Sequence, residues 1–232
     1  MWDYIIQDGA DPMISVFFAA GGLLMLFLAA VYIMSKDKAL KLFGLGILLD
    51  AIAFGIWAYM SIARPDNLDA ITNVGVLFFF ASFALYATVV LSALKGKVRI
   101  VVSILTALLM AVLLLMRFIF VRSNPHFLES GLFSWGIEPE VMYIYVVISS
   151  FTILPAAYII ADKVKNMGIK TMIQFGFTLI VIGITVLLTS DNRELQTMNG
   201  YGMIAGLALA TASQIKYSWF PDTNMKTKRI KK

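Results

Sequence analysis

Residues 39–62 read ALKLFGLGILLDAIAFGIWAYMSI, and this stretch decides the fold. Beyond Lys41 it holds a single charged side chain, Asp50, set near its middle. A helix rising about 1.5 Å per residue needs roughly 20 apolar residues to cross the hydrocarbon of a bilayer. The stretch exceeds that length. Six further runs of the same kind occupy 12–34, 70–94, 98–121, 139–163, 169–190 and 196–216. Of the 232 residues, 60% are hydrophobic and only 14% are charged, too little polar surface to coat a soluble core. Lipid cannot satisfy an open sheet edge, and no barrel-like alternation of about ten residues is present, so all seven runs are read as helices. The expected fold class is all-α and polytopic, a seven-transmembrane-helix bundle over 1–220 with a short basic tail at 221–232. Short connections predict that sequential helices pack as antiparallel neighbours.

Charge gives the orientation. Fifteen of the nineteen Lys and Arg residues lie in the turns after the first, third and fifth runs or in the tail. They are Lys36, Lys38 and Lys41, then Lys95, Lys97 and Arg99, then Lys163, Lys165 and Lys170, and six from Lys216 onward. Only Arg64, Arg117, Arg122 and Arg193 fall on the other side, where most of the carboxylates also lie. Basic loops are retained in the cytoplasm. The N-terminus is therefore expected outside and the C-terminus inside, which requires an odd number of crossings in the cell (cytoplasmic) membrane. The first run lacks a basic leader and a small-residue cleavage site, so it is expected to stay as an anchor. A net charge of +5 does not imply a nucleic-acid partner here. The excess lies on the cytoplasmic rim, where anionic lipid headgroups attract it. The absence of cysteine removes disulfides and thiolate chemistry.

Polar residues inside the runs carry the functional expectations. A charge at the depth of Asp50 costs roughly 3 kcal/mol or more, so Asp50 is expected to be protonated, hydrogen-bonded within the bundle or facing water. It is the leading ligand-site or proton-switch residue, against a purely structural role in knitting helices together. Arg117, near the outer end of the fourth run, is expected to snorkel to headgroups or to bind an anionic ligand in an outward pocket. Asn199 and Tyr201 lie in the outer third of the seventh run and belong to the expected ligand-site set with Asp50 and Arg117. There Gly202 and Gly206, extended by Ala210, predict a close helix–helix approach. Asn73, Gln174 and Thr178 are expected to hydrogen-bond between helices. Pro155 should kink the fifth helix and is the candidate hinge. The outer loop at 122–138, RSNPHFLESGLFSWGIE, is a candidate lid, and its His126 and Trp135 are added to the ligand-site set. His126 is the only histidine, so membrane-embedded haem and histidine-ligated zinc have no ligands. A mid-helix lysine for retinal is missing, as are a Ser/His/Asp grouping and a phosphate loop. No cofactor or metal is expected.

Several segments together resemble the seven-helix sensor region of bacterial and archaeal membrane histidine kinases. They are the basic turn SKDKALK, the aromatic stretch FGIWAYMSI, the outer loop SNPHFLESGLFSW and the terminal KYSWF. In that family a linker and kinase continue from the position of Phe220, whereas 12 residues follow here. The resemblance implies a stand-alone, receptor-like or small-ligand-binding protein without catalysis, which signals through a cytoplasmic or membrane partner or as a homo-oligomer. The run LLDAIAFGIWAY also looks like one segment of membrane lycopene-type cyclases. The acidic cluster those enzymes need is reduced to Asp69 in LDAITNVGVLFFF. The same pattern of helices is also compatible with a small transporter or with a structural subunit of a larger assembly.

Overall fold

The computed structural model describes residues 12–63, 66–120, 124–127, 133–134, 139–189 and 192–219. Seven long helices follow in order: α1 (Pro12–Ile33), α2 (Lys38–Ala63), α3 (Leu68–Ala93), α4 (Gly96–Leu115), α5 (Pro139–Asp162), α6 (Met167–Thr189) and α7 (Arg193–Trp219). A π-helical turn, Met116–Phe120, extends α4. Between α4 and α5, β1 (His126–Phe127) pairs antiparallel with β2 (Phe133–Ser134). Pro125, just before β1, is buried. Five helices are long and apolar enough to cross a membrane, over Ser15–Ile33, Lys38–Ala63, Leu68–Ala93, Gly96–Ile119 and Met167–Val186. The chain is thus a helical protein with the character of a multi-pass membrane protein.

Short polar residues start three of the helices. Asp37 Oδ1 accepts the backbone N–H groups of Ala39 and Leu40, at 2.8 and 3.1 Å, and so caps α2. Asn166 and Asn192 do the same for α6 and α7 through Ile169 N and Leu195 N, each at 3.1 Å. Between α3 and α4 the chain turns tightly at Gly96, whose φ of +58° lies in the left-handed region that favours glycine. Hydroxyls inside the helices mostly donate to carbonyls of their own helix, Thr152 to Ile148 and Ser213 to Ala210 among them. Such back-bonding hides polar groups where no water is at hand. Thr178 and Asn199 behave likewise, bonding the carbonyls of Gln174 and Leu195 at 2.8 Å each. The expectation that Thr178 joins neighbouring helices is corrected accordingly.

Six helices close a ring in which α1 packs on α2, α2 on α3, α3 on α5, α5 on α6, α6 on α7 and α7 back on α1. The fourth helix stands outside, touching α3 and α5 only lightly. Sequential packing therefore fails at one place: α3 finds α5, not α4, as its main partner. The reason is visible in the side chains of α4. Ile100, Val101, Ile104, Leu105 and Leu108 are all exposed, and Leu113 is the buried residue of the helix. An apolar surface running round a helix suits lipid and needs no protein against it.

The ring interior is aromatic and closely packed at glycines. Phe54, Trp57 and Phe79, from the halves of α2 and α3 nearest their connecting turn, and Phe83, just past the middle of α3, are fully or nearly buried and form a chain of edge-on and tilted ring contacts with Phe18. Each such contact adds on the order of 1 kcal/mol to area burial. Gly206 faces α6 so closely that a Cβ there would lie 2.5 Å from the Gly176 carbonyl oxygen. Gly202 faces open space. Only the Gly206–Ala210 part of the expected stripe makes the close approach, and Gly183 against Met203 replaces Gly202. α5 runs through Pro155 as one continuous helix, with Ala156 and Ala157 wholly buried beyond it.

Candidate functional site

Asp50 lies halfway along α2, and its side chain points into the ring, 4% exposed. One turn earlier, Gly46 has no side chain, and the ring of Tyr86 from α3 fills the space; a Cβ on Gly46 would sit 2.6 Å from it. That contact carries the Tyr86 hydroxyl to Asp50, where it donates to Oδ2 at 2.5 Å. The other oxygen, Oδ1, has no hydrogen-bond partner among the described residues. Ser82, one turn from Tyr86 on α3, also faces the carboxyl, while its own hydroxyl donates to the Phe79 carbonyl at 2.7 Å. Of the three environments expected for Asp50, the structure shows a hydrogen bond inside the bundle. A buried polar pair with one oxygen left over is costly, and the bond ties the packing of α2 to that of α3.

From this pair an aromatic path leads toward the Lys-rich end. Phe43 touches Tyr86 at 5.4 Å between ring centroids, Tyr32 of α1 at 5.4 Å and Phe177 of α6 at 5.2 Å. The Tyr32 hydroxyl accepts a hydrogen bond from Gln214 Nε2 of α7 at 2.8 Å, and both side chains are buried. Beyond them opens a cleft of about 130 Å³ whose lining includes Tyr32, Ser35, Ile160, Lys163, Ile173 and Gln214. Five of the six ring helices, α1, α2, α5, α6 and α7, thus meet at one small space, with Leu40 contributed by α2.

An ion pair spans the same end. Lys163 Nζ, just after α5, bonds Asp37 Oδ2 at 2.5 Å, while Asp37 Oδ1 caps α2. Lys170 pairs with Asp162 nearby. The Lys163 ammonium holds the Asp37 carboxyl below its usual range, against a smaller opposing effect of partial burial. A carboxyl depressed in the folded state adds stability above its unfolded pKa of about 3.9, and that stability is lost as pH falls through the folded value. The Asp37–Lys163 tie therefore holds at neutral pH and releases in acid. Both side chains are more than a third exposed, so the pair is worth only about 0–1 kcal/mol. Its importance is positional.

The other expected ligand residues among those described make their contacts away from Asp50. Arg117 sits in the π-helical turn after α4 and is 4% exposed. Leu113 and Arg117 are one turn apart on the face of α4 turned to the bundle, and neighbouring Phe118 meets Phe80 edge-on. Snorkelling to headgroups is thus corrected to burial against the bundle. Tyr201 is 56% exposed and packs edge-on against Phe17 at 5.1 Å. Asn199 is occupied by its own helix. His126 is exposed, with Nδ1 2.7 Å from the Asn124 carbonyl oxygen. Trp135 lies outside the described residues, as does much of the 122–138 loop expected as a lid.

Tyr86, Tyr32, Gln214 and the Asp37–Lys163 pair are not singled out by sequence reasoning. Asp37 carries a readable signal, an acidic residue two positions before the apolar Ala39–Leu40 start of a helix. The others carry none, because their partners lie 36, 182 and 126 positions away. In comparisons with known protein families, curated proteins and solved structures, nothing matches the chain.

Proposed function

We propose that this is a seven-helix protein of the cell membrane, with α5 and α7 completing the crossings and the Lys-rich turns in the cytoplasm. It works as a sensor-like, small-ligand- or proton-responsive bundle without catalysis. The observation that supports this most is the Asp50–Tyr86 bond. It joins α2 to α3 deep in an apolar ring through a carboxylate with an unshared oxygen. A proton or polar ligand arriving at Oδ1 changes the balance between two packings of those helices, and Phe43 links the change to the Lys-rich end. There the basic turns, lying against anionic headgroups, present it to a cytoplasmic or membrane partner or to a second copy. Pro155, within α5, is the proposed hinge.

One observation favours a second reading, a small transporter: five ring helices border a cleft, and Lys163 in its lining is paired with Asp37 of the α1–α2 turn. Counterflow in liposomes separates the two.

The test compares the wild-type protein with Asp50→Asn in detergent, by thermal unfolding across pH and against a panel of small polar ligands. Tyr86 of α3 is the titratable side chain bonded to Asp50 and is unchanged in both proteins. The expected result is a pH- or ligand-dependent shift in the wild type that Asp50→Asn lacks. Superimposable profiles for the two proteins contradict the proposal.

A further inference from the structure

The cleft at the Lys-rich end has a chemistry of its own, independent of Asp50. Its walls are aliphatic: Val31, Leu40, Ile160, Val164 and Ile173. Its polar groups are donors or carry one, namely the Lys163 ammonium, the Tyr32 and Ser35 hydroxyls and the Gln214 amide. No carboxylate is among the described lining residues. The Tyr32 oxygen already accepts from Gln214, so its own hydrogen remains available to donate. Lys36, Lys38 and Lys165 belong to the same turns and leave a net positive charge there, beyond the Lys163–Asp37 and Lys170–Asp162 pairs. A donor-rich, cationic, aliphatic-walled space selects a molecule with a negative head and an apolar body. Size narrows it further. A cavity of about 150 Å³ holds a benzene-sized body, and this one measures about 130 Å³.

We propose that the cleft between α1, α2, α5, α6 and α7 binds a small amphiphilic organic anion, a carboxylate or phosphate monoester on a short apolar body, whose head takes Lys163 from Asp37. The Asp37–Lys163 tie is then an internal competitor. With the cleft empty, Asp37 holds the ammonium; with the anion bound, Lys163 turns to the ligand and the link between the α1–α2 turn and the end of α5 is broken. Asp37 remains the cap of α2 throughout, through its other oxygen. Ligand binding is in this way tied to the separation of two helix ends, without any step at Asp50. The same head chemistry is offered by a dissolved anion and by an anionic lipid.

The experiment titrates the purified protein in neutral detergent with benzoate and with hexyl phosphate, read by thermal shift and calorimetry, with inorganic phosphate as the head-only control. A saturable shift is expected for the two amphiphiles and a much weaker one for inorganic phosphate. Lys163→Gln is expected to weaken binding about tenfold, the value of one charge-assisted bond. Asp37→Asn is expected to tighten binding severalfold, because Asn keeps the cap and drops the competing charge. Both side chains are more than a third exposed, so both variants retain the fold. No saturable shift with either amphiphile overturns the proposal. So does an Asp37→Asn variant that binds as weakly as Lys163→Gln, which is what a merely structural ion pair predicts. Repeating the titration in zwitterionic vesicles with and without phosphatidylglycerol identifies the source. Competition by phosphatidylglycerol supports the site with a lipid occupant, and its absence supports a dissolved one.

Discussion

Replacing Tyr86 by phenylalanine is expected to cost about 1–3 kcal/mol of bundle stability, although it removes one oxygen atom and keeps the ring. The Tyr86 hydroxyl is the donor to Asp50 Oδ2, and Oδ1 has no partner among the described residues. Tyr86→Phe therefore strips this hydrogen bond from a buried carboxyl, and no water replaces it in an apolar ring. Asp50→Leu combined with Tyr86→Phe is expected to be less damaging than the sum of the single changes, because both polar partners then leave together. A coupling of about 0.5–3 kcal/mol in the double-mutant cycle, read from unfolding in mixed detergent, is the signature. Additive effects would show that Asp50 and Tyr86 do not act as a pair.

Gly206→Leu should disrupt the α6–α7 contact, with a loss of at least about 1–3 kcal/mol. A Cβ at that position meets backbone, the Gly176 carbonyl oxygen at 2.5 Å and Ile180 N at 3.0 Å, so no rotamer change relieves it. One turn away, Gly202→Leu is the control: a Cβ there meets nothing within 4 Å. The expected outcome of parallel unfolding measurements is a large loss for Gly206→Leu and near-neutrality for Gly202→Leu. Equal losses would mean that α7 presents a different face to α6.

The contrast between those two glycines shows how far the amino-acid order carries. Lengths of apolar runs depend on local composition, so the seven helices follow from reading along the chain, with ends within a few residues of those observed. Which side of a helix meets its neighbour depends on crossing angle and on the shape of the opposing surface. GxxxG spacing alone makes Gly202 and Gly206 equivalent, and only the position of Gly176 on α6 separates them. The displacement of α4 has the same origin. Its run is the most hydropathic of the five long apolar helices, and a surface so compatible with lipid leaves its place in the bundle unspecified. At the site, Asp50 stands out because a lone carboxylate in an apolar run is expensive anywhere. Tyr86 does not, since a tyrosine in SFALYATVV is an ordinary core residue until Gly46 is seen to admit its ring. For Arg117, distance to the C-terminal end of its helix gives depth but not direction, and the direction is into the bundle.

The threading of the chain through the bilayer is the claim on which the functional proposal rests. Because the sequence contains no cysteine, any introduced thiol is the sole one. Single substitutions Ser35→Cys, Lys97→Cys and Lys165→Cys on one hand, and Asp66→Cys and Asn192→Cys on the other, can be probed with a membrane-impermeant maleimide in intact cells and in inverted vesicles. The account predicts that the first three react only in inverted vesicles and the last two only in intact cells. Labelling of Lys97→Cys and Lys165→Cys from opposite faces, or of Lys165→Cys and Asn192→Cys from the same face, would contradict it.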